Sequence, residues 1–134
     1  MANIREIEGI GDASAEKLEA AGIKTIEAFL EAGATAKGRD DLAEKTGLAE
    51  KNILKWVNRA DLDRVKGIGT QYADLLEAAG VDSAPELAQR NAANLLVKMD
   101  EVNASKNLVN KLPSEDQVQG WIDNAKTLPK IVTH

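Results

Sequence analysis

Ile7-Glu8-Gly9-Ile10-Gly11-Asp12-Ala13-Ser14-Ala15-Glu16-Lys17-Leu18-Glu19-Ala20-Ala21-Gly22-Ile23 and Val65-Lys66-Gly67-Ile68-Gly69-Thr70-Gln71-Tyr72-Ala73-Asp74-Leu75-Leu76-Glu77-Ala78-Ala79-Gly80-Val81 are the same sentence written twice. Gly9 falls on Gly67, an offset of 58 residues, and in that register Ala15 meets Ala73, Leu18 meets Leu76, and Glu19-Ala20-Ala21-Gly22 meets Glu77-Ala78-Ala79-Gly80. Trp56-Val57 matches Trp121-Ile122 at an offset of 65, so the second half carries about seven extra residues, placed between Arg90 and Pro113. The chain of 134 residues is therefore read as two repeats, 1–61 and 62–134, with an insertion near 91–113 and a short extended tail.

Inside each copy the signals are helical. Asp12 stands where it can cap a helix running to about Ala21, with Gly22 as the left-handed terminating residue, and Thr70 and Gly80 bracket the second copy in the same way. Thr25 caps Ile26 to Ala32 ahead of Gly33, and Ser83-Ala84-Pro85-Glu86 is a capping box with proline in the first turn. A helix near Ala36 to Thr46 ends at Gly47. Another over Glu50 to Ala60 puts Ile53, Leu54 and Val57 on one face, and Ser114 with Gln117 opens a second capping box leading into Trp121 and Ile122. Alternating apolar runs with hairpin dipeptides are missing, so the fold class is all-α, packed as one compact domain with pseudo-twofold character. The expected core draws on Ile7, Leu18, Ile23, Ile26, Phe29, Leu30, Leu54, Val57, Val65, Leu76, Val81, Leu87 and Trp121.

Composition removes most chemistry. There is no cysteine, hence no disulfide, thiolate nucleophile or Cys-based metal site, and the one histidine is the terminal His134, which cannot supply a triad or a ligand cluster. An enzyme is not expected, nor a cofactor or a metal. Seventeen basic residues against 22 acidic give a net charge of −5, shared by both halves: nine against twelve to Asp61, then eight against ten. Nucleic-acid binding by bulk charge would show the opposite sign, so any such binding must be local and salt-sensitive. The start has no apolar signal region, and no apolar run approaches the ~20 residues that span a bilayer, so a soluble cytoplasmic protein with no membrane partner is expected.

Each half thus reads apolar-x-x-Gly-Ile-Gly-x-x-x-Ala-x-x-Leu-x-x-Ala-Gly-Ile/Val, and over Ile4–Leu30 and Leu62–Leu87 this resembles the helix-hairpin-helix motif in tandem. The whole chain, including Ile53-Leu54-Lys55-Trp56-Val57-Asn58 and the Pro-Lys-Ile-Val-Thr ending, is also similar to an uncharacterised family of small bacterial proteins with two such repeats. The first resemblance implies two short antiparallel helices flanking a glycine hairpin. The backbone amides of that hairpin, often helped by a following basic residue, hold a nucleic-acid phosphate without reading sequence. It also raises a monovalent cation on the hairpin carbonyls, which the residues leave open. Physics beside the resemblance agrees that a glycine turn feeding a helix N-terminus presents N–H groups to an anion. The same glycines equally serve a tight turn between packed helices.

The neighbours separate the two turns. Glu6, Glu8 and Asp12 surround the first, and Ala13 stands where the motif often carries Lys, so phosphate is not expected there. Arg64 and Lys66 precede the second turn, and Thr70 and Gln71 follow it, although Asp63 and Asp74 lie close and Gln71 takes the usual Lys position. The candidate nucleic-acid-binding set is Arg64, Lys66, Gly67, Ile68, Gly69, Thr70 and Gln71. A dinucleotide fingerprint is excluded, because its third glycine would fall at Ser14 or Tyr72 and no strand precedes either turn. A phosphate-loop motif is absent as well.

Trp56, Trp121 and Tyr72 read as packing residues ahead of base-stacking ones. Lys98, Lys106 and Lys111 with Asn103, Asn107 and Asn110 make the insertion the least acidic stretch, either a contact surface or a solvated face. The pairs Asp40-Asp41 and Glu115-Asp116 complement helix dipoles at predicted helix starts, and the tail from Leu128 to His134 docks either on the domain or on a second protomer. Two functions remain. One is a non-catalytic module touching a DNA or RNA backbone through the second turn. The other is a protein-interaction or scaffold module with no nucleic-acid binding.

Overall fold

The computed structural model describes residues 3–7 and 9–133, apart from the side chain of Thr70. Glu8, expected beside the first turn, and His134 lie outside the described residues, as do Met1 and Ala2. All regular elements are helical: a short 3-10 turn at Ile4–Glu6, then α1 (Asp12–Ala20), α2 (Ile26–Ala32), α3 (Ala36–Thr46), α4 (Glu50–Asp63), α5 (Thr70–Ala78), α6 (Ala84–Ala88), α7 (Ala92–Lys106) and α8 (Glu115–Thr127). A single isolated bridge, Asn3 to Thr25, is the nearest approach to a strand among the described residues. None of the described helices is long and apolar enough to cross a membrane.

Side-chain caps explain most of the starts. Thr25 accepts from the Ala28 amide at 3.1 Å, Thr35 from Gly38 at 3.0 Å, and Asn91 from Asn94 at 3.1 Å, each relieving a donor that the first turn leaves without a helical partner. Ser114 and Gln117 exchange bonds of 2.9 and 3.1 Å in a capping box, while Ser83 accepts from Glu86 without the reciprocal contact. Asp12 and Thr70 differ from expectation. Ala15 donates to the Gly11 carbonyl and Ala73 to Gly69, both at 2.9 Å, so each helix starts one residue earlier and its N-cap is a glycine with no side chain to offer.

The two copies share their backbone bonding at the offset of the sequence repeat. Gly22 and Ile23 donate to Glu19 and Leu18, and Gly80 and Val81 to Glu77 and Leu76, which closes α1 and α5 with the same paired bonds around a left-handed glycine. The extra length of the second copy goes into α7, 15 residues against 11 in α3, and into the link 107–114 that replaces 47–49. Asn103 holds that link, donating to the Val109 carbonyl at 3.1 Å and accepting from its amide at 3.0 Å, while Asn107 ends α7 in the left-handed region.

The chain forms two compact units, residues 1–61 with 130–134, and residues 62–129. In place of one shared core there are two clusters. Ile4, Ile7, Leu18, Phe29, Ile53 and Val57 anchor the first, and Leu62, Leu76, Leu87, Leu95, Met99 and Ile122 the second. Within the second unit α8 packs on α6 and α7, and α5 on α7. Leu54 is only half-buried and Ile53 fully buried, because α4 turns the other edge of its apolar face inward. Ile26 packs on the first core while remaining half-exposed.

The tail is part of the first unit, not of the second repeat in which the sequence reading places it. Val132 is buried in the first core, and the Thr133 amide donates to the Ala34 carbonyl at 2.7 Å. Arg39, 3% exposed, donates to the carbonyls of Gly33 (2.8 Å) and Thr133 (2.7 Å) and shares that of Ala34 (3.2 Å) with the Thr133 amide, so a buried guanidinium is satisfied by three backbone oxygens.

Candidate functional site

The second turn is built from backbone outward. Val65 donates to Leu62 at 3.1 Å and Ile68 to Val65 at 3.4 Å, folding residues 62–68 tightly before α5 begins. Gly67 sits at φ +93°, where L side chains are strained, and an added Cβ would lie 3.3 Å from Nε1 of Trp121. The first turn repeats this arrangement, with Gly9 at φ +91° and Trp56 Nε1 3.6 Å away. The duplicated tryptophan and the duplicated first glycine are therefore one packing device, in which an indole edge lies against a turn whose first glycine holds a positive φ, with tight space at Gly67 and ordinary contact distance at Gly9. Trp121 is 4% exposed and stacks at a tilt on Tyr72, ring centres 5.3 Å apart, while the Tyr72 hydroxyl donates to the Lys111 carbonyl at 3.2 Å.

What remains open is the start of α5. Gly69 caps it in extended backbone without a side-chain bond, nothing lies within 4 Å of its added Cβ, and Gly67, Gly69, Lys66 and Gln71 are exposed. The amides of the first helical turn have no helical acceptor, and the helix dipole places partial positive charge there. Ile68 is set apart from this group: its amide closes the turn on Val65 and its side chain packs on the core. The Thr70 side chain lies outside the described residues, although its backbone opens α5.

The two cations differ. Lys66 is exposed, and its amide donates to Oδ1 of Asn124 in α8 at 2.8 Å. Arg64 is half-buried and donates to the Pro129 carbonyl at 3.0 Å, so its guanidinium helps hold the end of the second unit as well as standing beside the turn. Sequence reading missed Asn124, because nothing local marks an acceptor 58 residues away from the amide it satisfies.

At the first turn Arg5 is shared between two carboxylates. Arg5 reaches Glu19 through a forked pair of bonds, 2.8 and 3.3 Å, and Asp12 at 3.0 Å. That contact holds the Glu19 carboxyl below its ordinary range, the Arg5 hydrogen bond being the main cause, and raises Arg5 further. Asp12 stays highly exposed on the helix start. An anion approaching α1 meets carboxylates, whereas one approaching α5 meets Lys66 and Gln71. Among the described residues no group of three or more His, Cys, Asp or Glu is placed to hold a metal ion.

These features define an all-helical protein with two equivalent glycine turns, each locked by a tryptophan from a later helix. The chain belongs to the family described as a domain of unknown function, DUF4332, whose model matches residues 8–128. No curated protein and no solved structure matches it.

Proposed function

We propose that the chain is a non-catalytic binding module whose second glycine turn makes sequence-independent contacts to a nucleic-acid phosphate, in the manner of the helix-hairpin-helix motif that both copies resemble. The observation that carries this reading is the uncapped, open N-terminus of α5 at Gly69, set beside exposed Lys66 and Gln71. The contacting groups are the amides of Gly67, Gly69, Thr70 and Gln71 with the Lys66 ammonium, and Arg64 adds charge from beside the turn. Ile68 keeps the turn closed. With so few phosphate contacts and a net charge of −5, affinity is low and falls with salt.

Fluorescence anisotropy of labelled short duplex and single-stranded DNA, at low and near-physiological salt, tests this. Binding that weakens with salt and is lost in Lys66→Glu and in Gln71→Glu supports it. Both residues are exposed, so helicity by circular dichroism should be unchanged. Absence of binding at low salt by the folded protein overturns the reading, and so does binding that neither variant alters.

A further inference from the structure

The inserted part of the second unit carries a groove that the glycine turns do not use. It encloses about 390 Å³ and is lined by Ala93, Leu96, Val97 and Asp100 of α7, by Leu112 and Pro113 of the link, and by Glu115 at the start of α8. Residues 93, 96, 97 and 100 recur at helical spacing and form one stripe, about 10 Å long at 1.5 Å per residue. Val97 is 60% exposed, the one large hydrophobic side chain so exposed among the described residues, and it stands in this groove rather than singly on the surface. The repeat explains why it has no counterpart: α3 is shorter, and the three residues 47–49 stand where 107–114 form the opposite wall.

We infer that this groove docks a short amphipathic segment of a partner protein, one that inserts aliphatic side chains along Ala93, Leu96 and Val97 and sets Lys or Arg against Asp100 and Glu115. The charge of the lining selects the partner: two carboxylates and no basic residue face an otherwise apolar channel. A basic-aliphatic segment pairs with both features, whereas an acidic one meets like charge. A second copy of this chain is a poorer occupant. A twofold contact of groove on groove brings together two linings of the same negative sign, with no basic residue on either to pair with them. A contact with a different face needs another exposed aliphatic knob, and the described residues offer none besides Val97. This inference is independent of the phosphate reading and involves none of its residues.

The test is a displayed library of random 16-residue peptides panned on the 134-residue chain. One representative is then labelled and titrated by anisotropy against the wild type, Val97→Glu, Ala93→Glu, the Asp100→Lys/Glu115→Lys pair and Lys66→Glu. Enriched peptides should combine aliphatic residues with Lys or Arg within two helical turns. The representative should bind at least tenfold more weakly to Val97→Glu, Ala93→Glu and the charge-reversed pair, and equally well to Lys66→Glu. Val97 and Ala93 are exposed, so circular dichroism should show both variants folded. The inference is overturned by no enrichment above an unrelated protein, by a consensus without basic residues, or by a peptide indifferent to Val97→Glu and Ala93→Glu. Sedimentation showing a dimer that Val97→Glu dissociates overturns it too, by making a second copy the occupant.

Discussion

Gly67→Ala should destabilise the second unit far more than Gly69→Ala, two residues along the same turn. At Gly67 the backbone is at φ +93° and the new methyl would lie 3.3 Å from Trp121 Nε1, an indole that is 4% exposed and braced by Tyr72. Left-handed backbone costs an L residue about 1–2 kcal/mol, and the tight contact adds to that. The stiffer unfolded chain returns less than about 1 kcal/mol. The net cost is about 1–2 kcal/mol, which for a unit of this size lowers the melting midpoint by roughly 5–15 °C. Gly69 has φ −90° and open space around its Cβ. Alanine there loses a little as an N-cap and regains a similar amount from the unfolded chain, so the midpoint should move by less than about 3 °C. Thermal melts followed by Trp fluorescence in a Trp56→Phe background read Trp121 alone, and it is the indole that touches the substituted site. Gly9→Ala, at φ +91° but 3.6 Å from Trp56, should fall between the two when read through Trp56 in a Trp121→Phe background. Equal shifts for Gly67→Ala and Gly69→Ala would refute the claim that conformation and the indole contact fix the first glycine.

Three further outcomes follow from particular contacts. Arg39→Leu strands the carbonyls of Gly33 and Thr133 and leaves Ala34 to the Thr133 amide alone, so urea unfolding should show a loss of about 2–4 kcal/mol, with the last residues cut faster by carboxypeptidase. Asn124→Ala removes the acceptor for the Lys66 amide and should cost about 0.5–1.5 kcal/mol in the same assay. Glu19, held below its ordinary carboxyl value chiefly by Arg5, contributes stability above its unfolded pKa and loses it as pH falls through the folded one. Stability measured from about pH 6 down to about pH 3 should therefore fall less steeply in Glu19→Gln than in the wild type. Parallel curves would remove the Arg5 contact from the account.

The helices were readable because their signals are local. Thr25 before Ile26 and Ser114 with Gln117 each carry start information within four residues, and Gly22 and Gly80 mark stops in the same way. Asp12 and Thr70 misled by one position, since a turn that begins its helix on a glycine carbonyl needs no side-chain cap. The repeat made Gly67 and Trp121 visible as separate matches at offsets of 58 and 65, yet nothing in either match says that the two residues touch. Arg39 gave no signal at all. A lone arginine within a polar helix reads as solvated, and nothing local marks the carbonyls of Gly33, Ala34 and the distant Thr133 that receive it. Val97 was hidden for a similar reason, because an aliphatic residue at helical spacing reads as core until the link 107–114 is seen to leave it uncovered.

The duplication bears directly on the phosphate proposal. Backbone bonds, glycine dihedral and indole contact are nearly the same in both turns, so the turn geometry by itself does not tell a binding turn from a packing one. Whatever distinguishes a binding turn must reside in side chains that the packing does not need. At the first turn those side chains leave an excess of negative charge, Arg5 being spent on Glu19 and Asp12. At the second, Lys66 and Gln71 project from a turn whose closure is carried by Val65, Ile68, Trp121 and Asn124. Moving the charge pattern alone is therefore the decisive manipulation. Asp12→Thr with Ala13→Gln and Glu8→Lys writes the second turn's neighbours onto the first, on a backbone already shaped like it. DNA affinity in the anisotropy assay should rise, with a steeper salt dependence by about one counterion for the added lysine. A first turn so altered that leaves affinity and salt slope unchanged would mean that these neighbours do not make such a turn a phosphate clamp.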